Sequence, residues 1–165
     1  TYQRIVTALK QFHTSKKTLP TTFCPYKIIR EYYRHAATLR ADHHVPMASH
    51  LLAIVEDIRL SVPQFQKLAP CHLDLFNCNF LDDGNKIWII DWEYSAMADP
   101  LYDLATWVST DYLSIAEMQE LLELYLDSPT PRDLAYLYLM SILVDIRWGL
   151  WSLIQAEVSK IKANY

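Results

Sequence analysis

The chain has 165 residues, 52% of them hydrophobic, and a formal net charge of −4. Such a length supports one good core, since a domain of that size buries roughly 70% of its unfolded surface. The acidic balance provides no basic field for nucleic acid or anionic lipid and points to small or cationic partners. Three cysteines, Cys24, Cys71 and Cys78, have neither the even count of a disulfide framework nor the spacing of a zinc site, which implies a reducing, cytoplasmic setting. The longest apolar run, residues 134–144, falls short of the ~20 residues that span a bilayer, so a soluble chain with no membrane partner is expected.

Apolar residues at helical spacing predict a first helix over about 1–14 (Tyr2, Ile5, Leu9, Phe12) and a second over about 25–42 (Ile28, Ile29, Tyr32, Tyr33, Ala36, Leu39). A third is predicted over about 48–60 (Leu51, Leu52, Val55, Ile58), and all three stripes read as packing faces. A catalytic loop and hairpin are expected over 70–94. Strands at 77–81 and 86–90 are joined across Asp83-Gly84-Asn85, the second buried on both faces, with Trp88 in the core. Beyond Asp99-Pro100 the pattern turns helical through residue 165, with helices through Leu104 and Trp107, from about Ser114 to Leu126, and from Thr130-Pro131 onward. Gly149 marks a bend or a close contact in the last helix. The architecture expected is mostly α with a small β hairpin, in one domain over 1–165.

The chemistry concentrates between His72 and Asp91. Phosphoryl transfer requires an oriented acceptor hydroxyl and phosphates held by Mg²⁺. Asp74 is suited to accept a hydrogen bond from that hydroxyl, while Asn79 and Asp91 offer the hard oxygen ligands that Mg²⁺ prefers. Each residue alone is an ordinary turn former. Their combination with a strand ending Ile-Ile-Asp-Trp-Glu-Tyr, its aspartate twelve residues after Asn79, is specific. Trp148 and Trp151, three residues apart, share a helix face, and indole is the best aromatic face for a quaternary ammonium. On spacing alone both are more often core residues.

The segments His72-Leu-Asp74-Leu-Phe-Asn-Cys-Asn79, Ile90-Asp91-Trp92-Glu93-Tyr94-Ser95 and Asp99-Pro100-Leu-Tyr-Asp103-Leu resemble the choline/ethanolamine kinase family. That family lies within the aminoglycoside phosphotransferase and protein-kinase-like superfamily, and the likeness is strongest to bacterial choline kinases. Trp148-Gly-Leu-Trp151-Ser and Ala8-Leu-Lys-Gln-Phe-His13 are similar to further segments of that family, so the resemblance covers nearly the whole chain.

The resemblance implies the C-terminal lobe of a kinase-like fold and an ATP- and Mg²⁺-dependent transfer of the γ-phosphate to the choline hydroxyl. Asp74 would be the catalytic base, Asn79 and Asp91 the ligands of Mg²⁺ and its nucleotide, and Glu93 an aid to a second metal ion. His72 and Asp103 would support the loop. Trp148 and Trp151, with Trp92 and Tyr112 as further walls, would hold the trimethylammonium. Alternative acceptors are ethanolamine, thiamine or an aminoglycoside; a different class of reading is a non-catalytic choline-binding or regulatory lobe.

The chain holds only two glycines, Gly84 and Gly149, so these residues include no glycine-rich loop over nucleotide phosphates. The family's N-terminal nucleotide-binding lobe is therefore expected to be missing from this stretch, the stretch alone to be inactive, and the surface meant for that lobe to favour self-association.

Overall fold

The structure is a computed structural model that describes residues 2–39, 48–62 and 68–161. The chain folds into two compact units interleaved in sequence, one comprising Thr1–Phe23 with Phe65–Ser141 and the other Cys24–Gln64 with Ile142–Tyr165.

The first unit opens with helix α1 (Tyr2–His13), whose Ile5, Val6 and Leu9 are buried at helical spacing. Two small antiparallel sheets follow. Strand β1 (Ala69–Cys71) pairs with β4 (Ala96–Ala98), and β2 (Phe80–Asp82) pairs with β3 (Ile87–Ile89). Helix α4 (Pro100–Thr110) starts at Asp99, whose carboxylate accepts the N–H of Leu101 at 2.8 Å, with Pro100 preset at the first helical position. Helix α5 (Ile115–Tyr125) is fixed by a reciprocal capping box between Ser114 and Glu117. Leu104, Trp107, Leu121 and Leu122 fill the core.

The hairpin between β2 and β3 turns at Gly84, which takes φ +89°. A Cβ there would meet nothing within 4 Å, so the backbone angle and not crowding calls for glycine. Carboxylates close the turn: Asp82 accepts from Gly84 N–H, and Asp83 accepts from the N–H groups of Asn85 and Lys86.

Three expectations about this region are corrected. Residues Asn77–Asn79 form a 3₁₀ turn and not a strand, because the Asn79 N–H bonds back to Phe76 O at 2.9 Å. Strand β3 is not buried on both faces: Ile87 is buried, but Trp88 is 49% exposed. The Trp88 indole leaves the core because its N–H reaches Asp83 at 2.7 Å and its ring lies 3.9 Å under the Lys86 ammonium. The β1–β4 sheet was not foreseen, since Ala-Pro-Cys and Ala-Met-Ala are too short to show an alternating pattern.

The second unit contains α2 (Pro25–Thr38), α3 (Ala48–Ser61) and the C-terminal part of α6 (Pro131–Val158). The helix expected to reach residue 42 ends at Thr38, with Leu39 as its C-cap; residues 40–42 lie outside the described residues. Ala36 and Ile154 pack together with Tyr32, Leu39 and Leu153 around them. Gly149 borders a cavity of about 440 Å³, and a Cβ there would meet nothing within 4 Å; no close contact explains this glycine. Helix α6 has the length and apolar composition to cross a membrane, yet Leu137, Met140, Leu143 and Val144 are fully buried, as in a core helix.

Candidate active site

Strand β1 delivers the chain to His72, Leu73 and Asp74, and the first turn of α4 supplies the group that holds them. The Asp103 carboxylate is fully buried and accepts the His72 N–H at Oδ2 and the Leu73 N–H at Oδ1, each at 2.7 Å. Leu73 has φ +69°. That left-handed conformation costs an L-residue about 1–2 kcal/mol, and two charge-assisted bonds offset it. A tightly braced loop results.

His72 is a cross-brace. Its Nδ1 accepts the Asp74 N–H at 3.2 Å, which leaves the proton on Nε2 to donate to Ile90 O at 2.8 Å. Asn79 braces the same pair of segments from the other side: its Nδ2 donates to Asp74 O at 2.8 Å, and its carbonyl accepts the Ile90 N–H at 3.0 Å. Ile90 is thus gripped at both its N–H and its C=O, and the next residue is Asp91, at φ +64°. The arrangement fixes Asp74, Asn79 and Asp91 relative to one another through the backbone.

Asp74 and Asn79 are nearly buried, at 8% and 6% exposure, whereas Asp91 and Glu93 are exposed. The Asn79 amide nitrogen is committed to Asp74 O, which leaves Oδ1 as the acceptor of the pair; the Cys78 thiol donates to it at 3.7 Å. An amide oxygen and an exposed carboxylate carried on adjoining braced segments fit a hard divalent cation such as Mg²⁺.

Trp92 is half-buried; its indole N–H donates to Ile89 O at 2.8 Å, and its ring packs edge-on against His72 at 4.6 Å and Phe12 at 4.5 Å. Tyr112 follows α4 and is 92% exposed. Trp148 and Trp151 belong to the second unit, half-buried on α6 with ring centroids 5.6 Å apart at 82°. The Arg147 guanidinium stacks on Trp148 at 4.5 Å, so this indole already holds one cation.

His13 and Tyr125 escaped the sequence reading. His13 closes α1, with Nε2 3.0 Å from Asp103 Oδ2 and Nδ1 2.7 Å from the Tyr125 hydroxyl. The signal was a polar residue four positions after Leu9, on the buried face. Ligand atoms of His13, Cys71 and Asp103 lie within 4.8 Å of one another. Both Asp103 oxygens already accept N–H groups, and burial, reinforced by Asp103 and Asp99, pushes the Cys71 thiol up so that it stays protonated. The cluster acts as a hydrogen-bonded brace.

A profile of the phosphotransferase enzyme family matches residues 1–137, a span that contains the whole braced loop. The chain belongs to the phosphotransferase enzyme family. It is similar to protein LicA of Haemophilus influenzae, with 28% identity over 98% of this chain and 63% of that protein. A choline/ethanolamine kinase family protein from Mesorhizobium loti superposes with a TM-score of 0.83 at 25% identity, over 99% of this chain and 56% of that one. The choline kinase LicA from Streptococcus pneumoniae superposes at 0.80 with 26% identity, over 98% of this chain and 57% of that one. The phosphotransferase chain therefore has the mostly helical, kinase-like fold with small antiparallel sheets, and it spans 56–63% of the length of these relatives.

Proposed function

We propose that the chain carries the phosphoryl-transfer loop of a small-molecule kinase that moves the ATP γ-phosphate to the hydroxyl of choline. The observation that carries this reading is the double grip on Ile90, which ties Asp91 to the loop bearing Asp74 and Asn79. The similarity to choline kinases supports choline as the acceptor.

Asp74 orients the acceptor hydroxyl and takes its proton at a carboxylate oxygen as the phosphorus–oxygen bond forms. Its near-burial limits water access, which strengthens that contact. Asn79 Oδ1 and the Asp91 carboxylate would hold Mg²⁺, with Glu93 near enough in sequence to assist; the ion, when bound, neutralises charge on the phosphates. Asp103 and His72 keep the loop in its strained shape. Trp148 and Trp151 offer aromatic surface to the trimethylammonium group, which cannot donate hydrogen bonds and gains from cation–π contact. A cytoplasmic setting, where ATP is present and the three thiols stay reduced, goes with this reading.

Asp74→Asn in the intact protein removes the proton acceptor at nearly unchanged volume. Turnover of choline with ATP and Mg²⁺ is expected to fall by ~10²–10⁴, while the unfolding midpoint moves little. Wild-type turnover in that variant would sink the assignment.

A further inference from the structure

We propose that Tyr125 is a positioning residue for the catalytic loop, acting through His13 and Asp103; the inference rests on the phosphoryl-transfer reading of that loop. Tyr125 ends α5, His13 ends α1, and Asp103 lies in the first turn of α4, so one chain of contacts joins three helices to the loop backbone. It runs from the Tyr125 hydroxyl to His13 Nδ1 at 2.7 Å, from His13 Nε2 to Asp103 Oδ2 at 3.0 Å, and from Asp103 to the N–H groups of His72 and Leu73 at 2.7 Å each.

The direction of each bond follows from what the groups can donate. An ionised carboxylate only accepts, so the proton between His13 and Asp103 sits on Nε2. With Nδ1 as the acceptor, the Tyr125 phenol is its donor. Among the described residues no other group is placed to donate there. Burial, aided by the charges of Asp103 and Asp99, pushes the Tyr125 phenol up, which keeps its proton in place for this task.

Tyr125 therefore selects the tautomer. With the proton on Nδ1 instead, a lone pair on Nε2 would face the Asp103 carboxylate, and the repulsion would fall on the oxygen that also holds the His72 N–H. Leu73, at φ +69°, depends on the same carboxylate to keep its conformation. The hydroxyl of Tyr125 thus reaches Asp74 through four groups without touching substrate.

The wild-type protein offers the first check. Long-range ¹H–¹⁵N spectra should show His13 as the single Nε2–H tautomer; an Nδ1–H ring would overturn the proposal outright. Tyr125→Phe removes only the hydroxyl from a well-packed ring. It should convert His13 to a tautomer mixture and speed amide exchange at His72 and Leu73 at least tenfold more than at Leu137. It should also lower kcat several-fold with an unchanged KM for the acceptor. Unchanged protection at His72 and Leu73, a loss shared equally by all buried amides, or unaltered kcat would each overturn it. Asp74→Asn measured alongside separates the two claims: full turnover in Asp74→Asn means that the reading of the site fails, whereas an inactive Asp74→Asn beside a silent Tyr125→Phe defeats the Tyr125 inference alone.

Discussion

Asp83 shows how one exposed carboxylate can organise a turn. It accepts the Trp88 indole N–H and the backbone N–H groups of Lys86 and Asn85, and these bonds hold its pKa down from 3.8 to about 2, the indole bond contributing most. A depressed folded-state pKa means that the ionised form is favoured by folding. Its contribution is present above the ordinary carboxylate range and is lost as pH falls through about 2. The Trp88 indole N–H resonance is therefore expected to shift on acidification with a midpoint near 2, and Asp83→Asn should abolish that step. A midpoint at 3.8 would mean that the indole is not bound to this carboxylate in solution. At the same scale, Trp88 illustrates why strand residues mislead: a donor on the ring and a lysine beside it made the surface the better environment.

Helix ends, more than helix middles, set the frame around the loop. Helix α4 must begin at Asp99 for Asp103 to fall in its first turn, and α5 must begin at Ser114 for Tyr125 to close it. The Ser114 hydroxyl accepts the Glu117 N–H while the Glu117 carboxylate accepts the Ser114 N–H, so two otherwise orphaned donors are satisfied. Ser114→Ala is expected to lower unfolding stability by about 1 kcal/mol, measured by urea denaturation. A change within error would show that α5 is held by its buried Met118, Leu121 and Leu122 alone. Both caps are visible in the sequence as Asp-Pro and Ser-x-x-Glu, and so is the Thr130-Pro131 start of α6. Strands β1 and β4 are not, because three residues cannot display a period and their pairing joins positions 25 to 29 apart.

At the scale of the whole molecule, the choice of acceptor rests on cation chemistry. Asp74 belongs to the first unit and Trp148 to the second. A primary ammonium can satisfy itself with hydrogen bonds and carboxylates, whereas a trimethylammonium cannot. Trp148→Ala is therefore expected to lower kcat/KM for choline by roughly 2–30-fold, the equivalent of a ~0.5–2 kcal/mol contact, and to affect ethanolamine far less. Equal losses for both substrates would identify Trp148 as packing, a role that Arg147 stacking on it already partly assigns. Sequence by itself determined the helical class, the positions of the helix starts and the Gly84 turn, because periodicity, capping and turn motifs are local properties. Tertiary structure alone decided that Ile90 is gripped from two sides, that Asn79 turns in a 3₁₀ helix, that Trp88 faces solvent and that His13 and Tyr125 stand behind Asp103. The grips on Ile90 and the His13 brace join residues 11 to 112 positions apart, and no local pattern encodes which distant donor will meet a buried acceptor; Asn79 and Trp88 are set by partners three and five positions away that override the strand pattern.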